Sequence, residues 1–77
     1  MKENEISKRI RVFAASEYKN SINLANAIGV TGATVSTWIN KGANISAKNL
    51  VKLRDKTNIN MAWLLTGDGN MTNSNLN

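Results

Sequence analysis

The chain has 77 residues, 42% hydrophobic and 19% charged, and this composition indicates one small globular domain rather than a disordered chain. It contains no cysteine and no histidine, and its five acidic residues form no obvious pair, so we expect neither an enzyme nor a bound cofactor or metal. Ten Lys and Arg residues leave a net charge of +5 and a pI near 10.0, which favours a polyanionic partner and excludes little else.

The first predicted element is an amphipathic helix from about Glu3 to about Glu17. Its apolar residues recur at the spacing of one helical face, at Ile6, Ile10, Phe13 and Ala14. A polar connection follows at residues 18–21. Either Asn20 or Ser21 is the predicted N-cap of the second helix, because both side chains can accept a hydrogen bond from an unpaired helix amide.

Residues 21–40, SINLANAIGVTGATVSTWIN, predict two short helices joined by a tight turn. The second helix covers about Ile22–Ile28, and Gly29 stands where a chain leaving a helix needs a positive φ. Thr31 can cap the third helix, about Gly32–Asn40, whose predicted inward residues are Val35, Trp38 and Ile39. Small residues such as Ala25 occur where the two helices would cross. This pattern is typical of a helix-turn-helix, which places its second helix in the major groove of DNA.

Two further helices complete the predicted fold. Ser46 can cap a fourth helix that ends near Thr57, with Leu50, Val51 and Leu53 as its apolar positions and Asn58 as a left-handed stop. Asn60 can cap a fifth helix, Met61–Leu65, which Gly67 would end. We therefore expect an all-α fold, a compact bundle of about five short helices with a central helix-turn-helix. Residues 1–69 would form this domain, and residues 70–77 a disordered tail or the start of a linker.

No apolar run approaches the roughly 20 residues that cross a bilayer, and no apolar segment follows the N-terminal lysine as in a secretion signal. We expect a cytoplasmic, nucleoid-associated protein that has no membrane partner.

The chain resembles the lambda-repressor-like family, the Cro/CI or XRE class, and within it the N-terminal domains of phage CI-type repressors. One set of residues that carries the resemblance lies in the helix-turn-helix, and the run NMAWLLTGDG at residues 60–69 is similar to the segment that closes this domain. The matching positions are Leu24, Ala25, Ile28, Gly29, Val30, Val35 and Trp38. The chain departs from the family at Ser21 and Gly32, where many members have Gln, and in lacking a proline before the fourth helix.

The resemblance implies that the third helix contacts DNA bases. A step of 100° per residue places Ala33, Thr37 and Asn40 farthest from its inward side, with Thr34, Ser36 and Lys41 on the flanks. We expect base contacts from Ala33, Thr34, Thr37 and Asn40, and backbone contacts from Lys19, Ser21, Ser36, Lys41 and Asn44. These short side chains favour modest direct readout and a larger contribution from DNA shape.

Some of these features have simpler explanations. The outer face of the third helix could be only a solvated surface, and Lys48, Lys52 and Lys56 more often mark such a face than a DNA contact. Trp38 is spaced from Val35 as a core residue rather than a stacking platform, and Trp63 is expected in the core or an interface.

The function that we expect is sequence-specific binding of a double-stranded DNA operator by a transcriptional regulator, a repressor of phage or prophage type. The protein would be weakly associating or monomeric alone and a homodimer on DNA. One alternative is an antitoxin-like module whose main partner is another protein, although the polar segment MTNSNLN is a poor candidate for folding on one. A helical scaffold that has no nucleic-acid role is a third possibility, which the basic charge disfavours.

Overall fold

Five α-helices make up most of the described part of the chain, residues 5–42 and 44–73, in a computed structural model. They are α1 Glu5–Tyr18, α2 Ser21–Ile28, α3 Gly32–Asn40, α4 Ala47–Lys56 and α5 Met61–Thr66. The all-α prediction is confirmed, and the bounds of α3 agree with those predicted. The predicted start of the first helix at Glu3 lies outside the described residues.

A polar side chain caps the N-terminus of each helix from α2 to α5. Each cap accepts a hydrogen bond from a backbone amide two or three residues ahead, which satisfies a group that a helix leaves unpaired at its first turn. The capping residues are Asn20, Thr31, Ser46 and Asn60. Of the two candidates for α2, Asn20 is therefore the cap, with its Oδ1 2.8 Å from Asn23 N, and Ser21 is the first helical residue.

Left-handed backbone ends two of the helices, as predicted at Gly29 (φ 80°) and Gly67 (φ 89°). The predicted left-handed stop at Asn58 is wrong. Helix α4 ends instead at an extended Thr57, whose hydroxyl donates to the Leu53 carbonyl and accepts from the Ile59 amide, so no left-handed residue is needed. The sequence gave no sign of the left-handed Lys19 (φ 76°) after α1.

The core draws on all five helices and on Ile59 in the segment between α4 and α5. Its buried hydrophobic residues are Ile10, Phe13, Ala14, Leu24, Ala25, Ile28, Val35, Trp38, Leu53, Ile59 and Leu64. Most of the predicted apolar faces are therefore confirmed. Val51 is an exception: it is 44% exposed, because the face of α4 that meets the core is centred on Leu53, with Leu50 only partly buried.

Helix α1 holds the other elements together by packing against α2, α3 and α5, while α4 packs against α2. Two of its polar side chains satisfy carbonyls in the last turns of other helices. The buried Ser7 hydroxyl donates to the Trp38 carbonyl in α3, and Arg9 Nη1 donates to the Leu64 carbonyl of α5 over 3.1 Å. A cation at a helix C-terminus is also favoured by the helix dipole.

Residues 70–73 fold back on the segment before α5. The Asn60 amide donates to the Met71 carbonyl and the Asn73 amide to the Asn58 carbonyl, with an antiparallel bridge between Ile59 and Thr72. The sequence predicted a disordered tail from residue 70, whereas these four residues pair with the domain. The remainder of that predicted tail, residues 74–77, lies outside the described residues.

Candidate nucleic-acid interface

The turn between α2 and α3 fixes how the two helices cross. The Ala25 carbonyl accepts hydrogen bonds from both the Gly29 amide (2.9 Å) and the Val30 amide (3.0 Å), which closes α2 and redirects the chain. Ala25 is fully buried, as the sequence predicted for a residue at the crossing point. The Thr31 side chain then accepts from the Thr34 amide to begin α3. These contacts produce the helix-turn-helix that the sequence predicted.

Helix α3 buries one side and leaves the other open to solvent. Val35 and Trp38 are buried and Ile39 is half-buried, so the predicted inward side is confirmed. The four residues predicted to contact bases all remain accessible: Ala33 and Asn40 are exposed, and Thr34 and Thr37 are partly exposed. The structure therefore gathers these four on one accessible face, which we call the outer face of α3.

Hydrogen bonds within α3 determine which polar groups its outer face can offer. The Thr37 hydroxyl donates to the Ala33 carbonyl (2.8 Å), so toward a ligand it presents a methyl group and an oxygen that can accept. Asn40 donates one amide hydrogen to the Ser36 hydroxyl (2.9 Å). One amide hydrogen and the carbonyl oxygen of Asn40 remain available, the donor–acceptor pair that matches the major-groove edge of adenine.

A groove of about 220 Å³ runs between α1, the start of α2 and the outer part of α3. Its lining residues are Arg11, Ala14, Ala15, Asn20, Ser21, Ser36, Ile39 and Asn40. The structure thus brings together two predicted backbone contacts, Ser21 and Ser36, and one predicted base contact, Asn40. It adds the cation Arg11, which is exposed and forms no ion pair with another described residue.

Sequence reasoning did not single out Arg11. The available signal was that it directly follows Ile10 on the border of the apolar stripe of α1, so a basic side chain had to emerge beside the core face. What the sequence could not indicate was which neighbouring helix would meet that border.

The other predicted backbone contacts do not line the groove. Lys19 is exposed in the left-handed connection between α1 and α2, Lys41 is exposed at the C-terminus of α3, and Asn44 is exposed in the loop that follows. These residues carry charge and hydrogen-bonding capacity on the segments that border the helix-turn-helix, but the structure does not gather them into one site.

Helix α4 carries a separate set of charges. Lys48 and Lys56 are exposed and Lys52 is half-buried. The pKa of Arg54 is raised, because the Asp55 carboxylate accepts a 2.9 Å hydrogen bond from its Nε and also attracts its charge. Both side chains of this pair are more than half exposed, so the pair contributes little to stability.

Within the described residues, no cluster of three His, Cys, Asp or Glu side chains could hold a metal ion. Over the same part of the chain, no helix has the length and apolar character needed to cross a membrane.

Comparison with known proteins gives one family and one relative. Residues 10–72 match the family model of the bacteriophage CI repressor helix-turn-helix domain. The chain is 32% identical over 66 residues to the repressor protein CI of Enterobacteria phage phi80, a match that covers 86% of this chain and 28% of that protein. The chain therefore spans little more than a quarter of the length of this relative. No solved structure matches it.

Proposed function

Because this chain belongs to the family of bacteriophage CI repressor helix-turn-helix domains, we propose that it binds a specific double-stranded DNA sequence and represses transcription there. The observation that carries the proposal is the outer face of α3, where Ala33, Thr34, Thr37 and Asn40 are accessible while Val35 on the same helix is buried. A helix held in this way can enter the major groove without unfolding any part of the core. The protein would act by binding rather than by catalysis.

Base readout follows from the groups that the outer face presents. Asn40 can pair with adenine N6 and N7, because one amide hydrogen and its carbonyl oxygen are not used within α3. Ala33 and the methyl groups of Thr34 and Thr37 can contact the methyl group of thymine. We infer from these short side chains that the operator is rich in A·T pairs where α3 enters, and that DNA shape contributes to its selection.

Phosphate binding is proposed for the groove beside α3. Arg11 supplies a full charge, and Ser21 and Ser36 supply hydroxyl groups along the same wall. Arginine suits this task because its planar guanidinium can donate two hydrogen bonds to one phosphate. Lys19, Lys41 and Asn44 would add contacts on the flanking segments. Such contacts set the register of the protein on the duplex and do not distinguish sequences.

We further propose that the domain binds as a homodimer on two half-sites, while the chain alone associates weakly. Helix α5 is the candidate interface, since Leu65 is 45% exposed and Met61 and Trp63 are partly buried. A helix of 6 residues offers much less than the roughly 800 Å² per partner of a stable interface. DNA would therefore supply most of the free energy that holds two copies together. A DNA-bound regulator of this kind would reside with the nucleoid in the cytoplasm.

Selection of bound duplexes from a random pool tests the proposed function. We expect enrichment of one motif, arranged as two symmetric half-sites about one helical turn apart. A variant with Thr37→Ala and Asn40→Ala keeps the core and should lose that motif, which makes it the matched control. Enrichment of no motif, with binding to a second protein instead, would support the antitoxin-like alternative and contradict the proposal.

A further inference from the structure

Ile22 is an apolar side chain with no place in the core. It is the second residue of α2 and is 61% exposed, more than any other large hydrophobic residue in the described part of the chain. Its neighbours Ser21 and Asn23 are polar. Burial therefore does not explain why an isoleucine occupies this position.

The position of Ile22 relative to α3 suggests a use for this side chain. A Cβ atom built on Gly32 would lie 3.5 Å from Ile22 Cγ1, so Ile22 sits against the first residue of α3. That distance is ordinary van der Waals contact, so the packing does not itself require glycine. Because Gly32 has no side chain, the apolar surface at this end of α3 comes from Ile22 and from the exposed Ala33.

We propose that Ile22 is a specificity-determining residue that contacts the 5-methyl group of a thymine in the half-site. The inference rests on the proposed function, because it requires α3 to enter the major groove with its N-terminus near the bases. In that groove the thymine methyl is the one apolar group that a base pair presents, and cytosine has hydrogen at the same position. Contact with it would remove both the methyl and the exposed isoleucine from water, which is favourable.

Replacing thymine by deoxyuridine removes only this methyl group and tests the contact directly. The probe is the duplex selected from the random pool, with each thymine exchanged in turn and the affinity measured by fluorescence anisotropy. For the unaltered protein we expect one position near the N-terminus of α3 at which the exchange weakens binding about fourfold per half-site, the effect of burying roughly one methyl-sized group. In Ile22→Ala that loss should disappear, while losses at other thymines persist.

Two further variants make the result specific. Val12→Ala removes a similarly exposed apolar side chain from α1 and should leave the whole thymine pattern unchanged. Ile22→Val keeps an apolar group and should keep part of the loss. Circular dichroism melts of all three variants should match the parent, since each changed residue is exposed.

The outcomes separate this inference from the proposed function. If Ile22→Ala shows the same thymine pattern as the parent, the inference is wrong, even when its affinity falls equally on every duplex as a sugar contact would cause. If the parent binds no duplex of any sequence, the proposed function fails and the inference falls with it.

Discussion

Trp38→Ala should abolish DNA binding by unfolding the domain and not by removing a contact. Trp38 is 4% exposed, and its carbonyl accepts the Ser7 hydroxyl, so both its side chain and its backbone tie α3 to the rest of the molecule. Truncating such a residue costs about 3–5 kcal/mol. A domain of 77 residues has a free energy of unfolding of about 4–12 kcal/mol, so the variant would lose a large share of its stability.

A thermal melt followed by circular dichroism measures this loss. At about 4–8 °C per kcal/mol for a domain of this size, the melting temperature should fall by about 12–40 °C. Thr37→Ala is the matched control, because the neighbouring Thr37 lies on the outer face and the change should alter stability by less than about 0.5 kcal/mol. A parent-like melting temperature together with lost binding would refute the reasoning and place Trp38 in contact with DNA.

Four other changes test separate parts of the structure. Ala25→Leu should destabilise the domain by about 1–3 kcal/mol by overpacking the crossing of α2 and α3, and an unchanged denaturant midpoint would contradict that position. Ser7→Ala should cost about 1–3 kcal/mol, because it leaves a buried carbonyl without its donor; a loss as small as that at a surface site would show that water replaces the hydroxyl. Arg11→Ala should weaken binding to all duplexes alike and reduce the log–log salt slope by about 0.9 for each phosphate lost, whereas Lys56→Ala, the charge-matched control, should not; a change in sequence preference would exclude a phosphate contact. Asn40→Ala should weaken operator binding by about 1–3 kcal/mol at one base pair, and equal weakening on every sequence would reassign it to the backbone.

Much of the fold could be predicted because the local signals and the core agree. The helix-turn-helix is the clearest case, since the left-handed Gly29, the Thr31 cap and the buried Trp38 all fall where the sequence pattern required them. The prediction failed at Asn58, because an asparagine that tolerates left-handed backbone is not obliged to adopt it. The Thr57 hydroxyl provides the competing solution, which depends on the positions of two backbone groups rather than on propensity.

The candidate interface was predictable only within single helices. Periodicity correctly placed Thr37 and Asn40 on the accessible side of α3, since a helical wheel needs no tertiary information. The groove with Arg11 and the approach of Ile22 to Gly32 depend on how α1, α2 and α3 cross, which no spacing along one helix specifies. The pairing of residue 73 with Asn58 was missed for a similar reason, because it depends on backbone hydrogen bonds that leave no hydrophobic pattern.

Titration of the chain with its selected duplex and with a scrambled duplex, at several salt concentrations, tests sequence-specific DNA binding most directly. If each copy neutralises about four phosphates, the log–log slope for a bound dimer should be near −7. The selected duplex should also bind at least about 10³-fold more tightly than the scrambled one at physiological salt. An affinity that does not change with salt, or equal affinity for the two duplexes, would contradict the account.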